Sequence, residues 1–260
     1  MPAAPRWLSF LLPRACLACG ECLGPGIEEP LCRSCAAGML PVPEERCCPR
    51  CGVVLPAPPH PLSPRCPACA ELPDTFNRAA SAFQYRGTAG RLLRSLKYRR
   101  DSAAAVFLAR EALPAARRFA LLADPAPTIA VPVPLHPWRE FRRGYNQAAE
   151  LSTRLAEGLA LEHEPYALNR AFTWRPQVRR RTPEERLQRI RGAFRPHLPG
   201  RVAGRAVLLV DDVMTTGATV AWAASALRGA GASAVWIFTI ARAGAAAPKG
   251  ALPLPPAPPA

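Results

Sequence analysis

The sequence predicts an α/β fold: an open, mostly parallel sheet flanked by helices, preceded by a small metal-binding head. Three observations carry that expectation. Apolar runs rich in Val, Ile and Leu at 128–133, 206–210 and 234–240 alternate with helical patterns, as parallel strands buried on both faces do. The second of these runs ends in Asp211 and Asp212, followed at once by Val213-Met214-Thr215-Thr216-Gly217 and an Ala-rich helical pattern from about Val220 to Arg228. All ten cysteines lie between Cys16 and Cys69, eight of them in Cys-x-x-Cys pairs.

The composition sets limits on what the chain does. Its 260 residues suffice for one large domain or two modest ones. The expected division is a head over residues 1–72, an α/β body over 73–243 and a disordered Pro/Ala-rich tail over 244–260. A net charge of +15 favours anionic partners, either nucleic acid or phosphorylated small molecules. Nearly all of that charge is arginine, since Lys97 and Lys249 are the only lysines, and such uniform usage equally reflects genome composition. The apolar run 7–12 is closed by Pro13 and Arg14 and is too short to span a bilayer. No membrane insertion is expected, and a cytoplasmic location is.

In the head the pairs are Cys16/Cys19, Cys32/Cys35, Cys48/Cys51 and Cys66/Cys69, with twelve residues between the first two and fourteen between the last two. A two-residue spacing presents both sulfurs to one ion, and a hairpin of this length brings the second pair round to complete a tetrahedron. Gly20 and Gly52 follow Cys19 and Cys51, where the chain must bend tightly. Two structural Zn²⁺ sites are therefore expected, resembling a double zinc ribbon. Cys22 and Cys47 are left over, and Cys47 could replace its neighbour Cys48 as ligand. With few large apolar residues, the head should draw its folding free energy from metal, so chelation is expected to unfold residues 16–69 and spare the rest.

Residues 56–64 form a Pro-rich loop within the second site. Residues 76–85 read as a short strand. Residues 87–100 read as a helix with Leu92, Leu93, Leu96 and Tyr98 toward the core and Arg91, Arg94, Lys97, Arg99 and Arg100 on the exposed side. Lys97 stands out as the lone lysine ahead of the tail in a polyanion-binding context. Residues 102–122 continue as an Ala-rich helix covering one sheet face.

The strand at 128–133 runs into Pro132-Val133-Pro134-Leu135-His136-Pro137, a rigid loop with few backbone donors. Arg139, Arg142, Arg143, Gly144, Tyr145 and Asn146 lead from it into a helix over about 147–161. His136 is expected to hydrogen-bond the loop backbone at least as readily as a ligand. Eleven arginines then fall between Arg170 and Arg205 against Glu184 and Glu185. The stretch 174–187 reads as a mobile basic loop, with residues 191–194 marking the return to order. Gly229 and Gly231 end the helix that precedes the last strand.

The chemistry concentrates at 206–220. Open α/β sheets bind ligands at the carboxyl ends of their strands. Backbone N–H groups of Thr215, Thr216, Gly217, Ala218 and Thr219, with the threonine hydroxyls and the helix dipole, suit a phosphate. Asp211 and Asp212 suit sugar hydroxyls or a divalent cation. A sugar phosphate satisfies both. A Walker B strand also ends in acids, but the Gly-x-x-x-x-Gly-Lys-Ser/Thr loop it requires is missing upstream.

The stretch resembles the 5-phosphoribosyl-pyrophosphate (PRPP) motif of type I phosphoribosyltransferases. Pro-Val-Pro-Leu-His-Pro, then Arg-Arg-Gly-Tyr-Asn-Gln, then the acidic pair, in that order behind four Cys-x-x-Cys pairs, resembles the ComF family across roughly residues 8–243. That resemblance implies a type I phosphoribosyltransferase-like sheet behind a zinc ribbon and an association with competence and DNA uptake. It also implies catalytic roles for Asp211 and Asp212 with Mg²⁺, a pyrophosphate loop at 133–137 that includes Val133 and Pro134, and Arg143 to Gln147 bordering the site; Lys97, singled out above as the lone lysine, is expected to bind PRPP with them. The run 174–187 becomes the candidate for the loop that closes over the ligand. Three functions follow as expectations: a phosphoribosyltransferase acting on PRPP, a single-stranded DNA-binding competence protein that has kept the fold without transfer, and a PRPP-sensing regulator. The partners are then PRPP or a related phosphorylated ribose, single-stranded DNA and other DNA-uptake proteins.

Overall fold

The computed structural model describes residues 14–24, 29–59, 66–70, 72–99, 101–171 and 192–244. The head contributes α1 (Arg33–Ala37) and α2 (Pro67–Ala70). The body runs β1 (Arg78–Gln84), α3 (Gly87–Arg99), α4 (Ser102–Leu121), β2 (Ile129–Pro132), α5 (Pro137–Arg143), α6 (Gln147–Leu159), β3 (Glu162–His163), β4 (Leu168–Arg170), β5 (Phe194–Pro196), β6 (Ala206–Met214), α7 (Ala218–Gly229) and β7 (Ala234–Arg242). Five strands form one parallel sheet in the order β1-β7-β6-β2-β3, and β4 pairs with β5 in a separate antiparallel hairpin.

The continuous apolar runs are explained by burial on both faces. Along β6, Leu208 and Val210 join α4 and α6 in one apolar cluster, while Val207 and Leu209 join α7 in the other. From β2 the chain crosses outward through α6 to β3; from β6 it crosses the opposite way through α7 to β7. The two crossovers lie on opposite faces, so a crevice opens between β2 and β6 at their carboxyl ends, the place where such sheets take ligands.

Helix boundaries follow local chemistry. Asp101 accepts the Ala104 N–H at 3.1 Å to start α4, and Asn146 accepts that of Ala148 at 3.0 Å to start α6. The structure adds α5, a helix where a loop was expected to run straight into α6. His136 caps it by accepting the Trp138 N–H at 3.3 Å, Pro137 opens it, and Gly144 ends it in the left-handed conformation. Helix α7 begins at Ala218 rather than at 220, and β6 extends through both aspartates to Met214.

Helix α3 corrects two expectations. Leu92, Leu93 and Leu96 are buried, but Tyr98 is 77 % exposed. Two residues along a helix is about 200° of rotation, so Tyr98 cannot share a face with Leu96. Lys97 was placed on the solvent side but turns inward to Asp212.

The head is fastened to the edge of the sheet. The Val42 N–H donates to Ala82 O at 3.0 Å, the Gln84 N–H to Leu40 O at 2.8 Å and the Ala79 N–H to Arg50 O at 2.7 Å, so head segments cover the otherwise open edge of β1. The first cysteine group packs with Phe83, Leu92 and Leu96 on one face of the sheet, and the second with Ala79, Val235 and Ile237 on the other. With both apolar clusters shared, loss of metal should disturb the body as well as residues 16–69. No helix among the described residues is long and apolar enough to cross a membrane. The run 7–12, residues 60–65 of the Pro-rich loop, the basic stretch 174–187 and tail residues 245–260 lie outside the described residues.

Candidate functional site

The acidic pair closes β6 at the crevice. Val133 N–H donates to Val210 O at 2.8 Å, so the Pro-rich loop leaves β2 directly beside Asp211. Lys97 Nζ lies 2.8 Å from Asp212 Oδ2, with the two side chains 21 % and 13 % exposed. The Asp211 carboxylate accepts the Asp212 N–H at 2.8 Å. Burial first, then the charge of Asp212, pushes the Asp211 carboxyl up to about 8, against the opposing pull of Lys97 and Arg170. One acid is thus paired with a lysine, while burial and that acid's charge raise the carboxyl of its neighbour well above the usual carboxylate range. Such a pair is ready to exchange a proton for sugar hydroxyls or a divalent cation.

Beyond the pair, Met214 to Ala218 make the turn into α7. Thr215 and Thr216 are exposed, and Thr216 Oγ1 accepts the Ala218 N–H at 3.4 Å. Among the described residues, the N–H groups of Thr215, Thr216 and Gly217 donate to no backbone carbonyl. Gly217 caps the helix at φ +86°, and a Cβ there would meet Met214 Cε at 2.7 Å and Leu72 Cδ1 at 3.1 Å, so only glycine lets the turn lie this close to the head. Thr219 sits half-buried in the first turn of α7.

Three segments converge on the other side of the pair. Asn146 Nδ2 donates to Val133 O at 3.1 Å, and Tyr145 Oη donates to Leu96 O. Arg143 bonds Gln147 Oε1 at 3.0 Å and stands 5.9 Å over the Tyr98 ring. Of the predicted residues, Lys97 contacts Asp212 directly, Val133 meets β6 through Val210 O, and Arg143 is linked to the Lys97 helix through the Tyr98 ring. Pro134 lies half-buried in the same loop, and His136 is engaged in the helix cap.

Three contributors escape sequence reasoning. Arg170, at the end of β4, is close enough for Asp211 and Arg139 to act on its charge; burial first, then Arg139, lowers its pKa. Arg242 ends β7 only 3 % exposed and donates to Met214 O at 2.8 Å, to Thr215 O and to Ala243 O at 3.2 Å, pinning the turn from below. Leu72 packs against that turn from the head. A buried cation ending an apolar strand was the one signal available for Arg242; Arg170 and Leu72 gave none. The ends of the segment that includes 174–187 meet beside the hairpin, where Ala171 N–H donates to Ala193 O at 2.7 Å.

The eight paired cysteines form the two expected groups, Cys16/Cys19/Cys32/Cys35 and Cys48/Cys51/Cys66/Cys69, each with sulfurs within 4.8 Å of one another. Sγ···Sγ separations of 3.8 Å for Cys19–Cys32, 3.7 Å for Cys48–Cys69 and 3.5 Å for Cys51–Cys66 lie near the edge of a ZnS₄ tetrahedron, about 3.8 Å for Zn–S bonds of about 2.3 Å. They are far too long for disulfides, and all ten cysteines are free. Gly20 and Gly52 take positive φ, and the Cys32 and Cys66 N–H groups point at Cys16 and Cys48 sulfur at 3.4 and 3.5 Å. Cys48 rather than Cys47 joins the second group; Cys47 Sγ donates to Pro43 O at 3.1 Å and Cys22 lies outside both groups. The donor set suits a soft tetrahedral ion such as zinc.

The phosphoribosyl transferase domain family matches residues 142–250. A DNA utilization protein YhgH of Salmonella typhi is 36 % identical over 199 residues, covering 75 % of this chain and 83 % of that protein. Its counterpart in Escherichia coli K12 is 35 % identical over 201 residues, with the same coverage. Competence protein F of Haemophilus influenzae is 35 % identical over 118 residues, 45 % of this chain and 51 % of that protein. The parallel sheet, the cysteine head and these similarities agree on a phosphoribosyltransferase-type fold behind a ribbon.

Proposed function

The chain belongs to the ComF family, and from that premise we propose that it binds PRPP with Mg²⁺ at the carboxyl end of β6 and serves the uptake and use of DNA. In this reading Asp211 and Asp212 hold the ribose 2′- and 3′-hydroxyls and supply oxygen ligands for Mg²⁺. Residues Thr215, Thr216, Gly217, Ala218 and Thr219 hold the 5′-phosphate. Val133, Pro134, Lys97 and Arg143 border the pyrophosphate. Two Zn²⁺ ions sit in the cysteine groups of a head spanning residues 1–72. The role in DNA uptake rests on the names of the relatives.

The observation that carries the reading is the Lys97–Asp212 contact of 2.8 Å beside Asp211, followed by a turn whose N–H groups, among the described residues, meet no backbone carbonyl. Such an arrangement answers a molecule with hydroxyls at one end of its ring and phosphates at the other. Bound Mg²⁺ supplies charge neutralisation at the pyrophosphate. The protein's own part is to fix the ribose, so that C1 faces the acceptor, and to surround the departing pyrophosphate with cations. Turnover breaks the C1–O bond and releases pyrophosphate, which is its readout with candidate acceptors.

Binding of PRPP with Mg²⁺, and of single-stranded DNA across a salt series, measured in wild type and in Asp211→Asn/Asp212→Asn, tests the site. Salt-resistant PRPP binding that disappears in the double variant is expected. DNA binding that falls steeply with salt, alongside no PRPP binding at all, would sink the PRPP reading.

A further inference from the structure

Helix α5 is built to hold side chains outward. It has seven residues, none of them buried, and is fixed at both ends by the His136 cap, Pro137 and Gly144. Trp138 and Phe141, one turn apart, are 54 % and 80 % exposed, with ring centroids 6.1 Å apart and planes inclined by 25°. Arg139 and Arg142 are exposed on the same short helix, and Glu140 is its one acid. Its last residue, Arg143, is about 200° round the helix from Phe141 and lies over the exposed Tyr98 ring, and the residue before Tyr98 is the Lys97 that reaches Asp212. Two exposed rings and two guanidinium groups therefore share one short helix, whose last residue reaches the helix that carries Lys97.

Large aromatic rings in water are unfavourable, and pyrophosphate has no use for them. A ligand that uses both features carries flat π-faces and a regularly spaced negative charge. Duplex DNA hides its base faces, whereas a single strand offers them, and every base can stack on a ring whatever its sequence. We propose that Trp138 and Phe141, with Arg139 and Arg142 beside them, seat single-stranded nucleic acid at the mouth of the acidic crevice. Bases stack on the rings and phosphates meet the guanidinium groups. The seat stands on this surface alone and does not depend on PRPP being the ligand of the crevice; if both hold, it sets a nucleobase beside the ribose.

The test is fluorescence anisotropy of a labelled twenty-nucleotide single strand and of a duplex of equal length, without PRPP, over a series of salt concentrations. Trp138→Ala/Phe141→Ala should weaken single-strand binding about tenfold or more and leave the salt slope unchanged. Trp138→Phe/Phe141→Tyr should retain binding. Arg139→Gln/Arg142→Gln should lower the slope by about one to two. PRPP titrated separately with Mg²⁺ should bind the aromatic variants as it binds wild type, so failure of the seat and failure of the PRPP reading are told apart. Single-strand affinity unchanged in the alanine variant, with zinc content and circular dichroism intact, would overturn the proposal. So would a duplex that binds as tightly as the single strand, or rings whose loss changes only self-association or capture of a protein partner.

Discussion

The two cysteine groups have nearly the same spacing and opposite circumstances. In the first, Cys19 is exposed and Cys32 half-buried; in the second, all four sulfurs are buried. The first lies on the α4 face of the sheet and touches α3, where Arg91 donates to Cys35 Sγ at 3.4 Å. From there six residues of helix, about 9 Å, lead to Lys97 at the acidic pair. The second lies on the α7 face. Leu72, three residues past Cys69, packs into the turn at Gly217, and Arg50 ties Cys69 O at 3.2 Å to Asp74 at 2.9 Å. One metal site therefore braces the helix that carries the lysine, and the other braces the floor of the turn before α7. Similar ligand motifs have become two buttresses of different depth under one crevice.

Cys51→Ser should separate the two most strongly. A buried thiolate site contributes folding free energy on the order of ten kcal/mol, and this one sits in a core cluster shared with the sheet. The variant should lose its cooperative thermal transition or its soluble yield. Cys19→Ser, at an exposed ligand, should remain folded with a lowered midpoint and release one zinc readily to a chelator. Zinc counted per chain alongside thermal unfolding checks this; equal damage from both variants would erase the comparison.

Leu72→Ala is the next largest. Truncating a buried leucine costs about 2–5 kcal/mol, and here the cavity opens against Met214 and Gly217. The midpoint should fall, and PRPP affinity should fall beyond what an equally destabilising truncation of Leu155, far from the turn, produces. Matched losses from the two truncations would show that the head does not support the turn.

The third effect is electrostatic. The folded Asp211 carboxyl titrates near 8, above its ordinary 3.8. Between those values the folded chain holds a proton that the unfolded chain has lost. Stability from this group is therefore full below about pH 4 and declines as pH rises towards 8. Asp211→Asn lacks that dependence, so its midpoint should gain on wild type from pH 5 to pH 8.5 while ligand binding is lost. A constant difference across the series would mean that Asp211 is ionised throughout.

How much of this was legible in the sequence depended on whether the cause was local. The strands β2, β6 and β7 could be read because burial on both faces leaves continuous apolar runs. The cysteine groups could be read because metal geometry fixes their spacing. Asp211 and Asp212 stood out because two acids ending an apolar strand make no sense as core. Helix α5 did not stand out, since its rings face water and its prolines read as loop; its start depends on His136, whose ring accepts the Trp138 N–H and whose carbonyl accepts those of Arg139 and Glu140. Tyr98 was placed inward because apolar character was weighed above its angle from Leu96. Arg242 and Leu72 act on a turn 28 and 145 residues away in sequence, a juxtaposition created only by the sheet order and the clasp of the head.

Calorimetric titration of PRPP with Mg²⁺ at pH 7, in buffers of different ionisation enthalpy, addresses the acidic crevice most directly. The account predicts binding that requires Mg²⁺, with release of close to one proton as Asp211 gives up its hydrogen, and loss of both in Asp211→Asn/Asp212→Asn. No binding to the zinc-loaded wild type, or binding undiminished in the double variant, would contradict it.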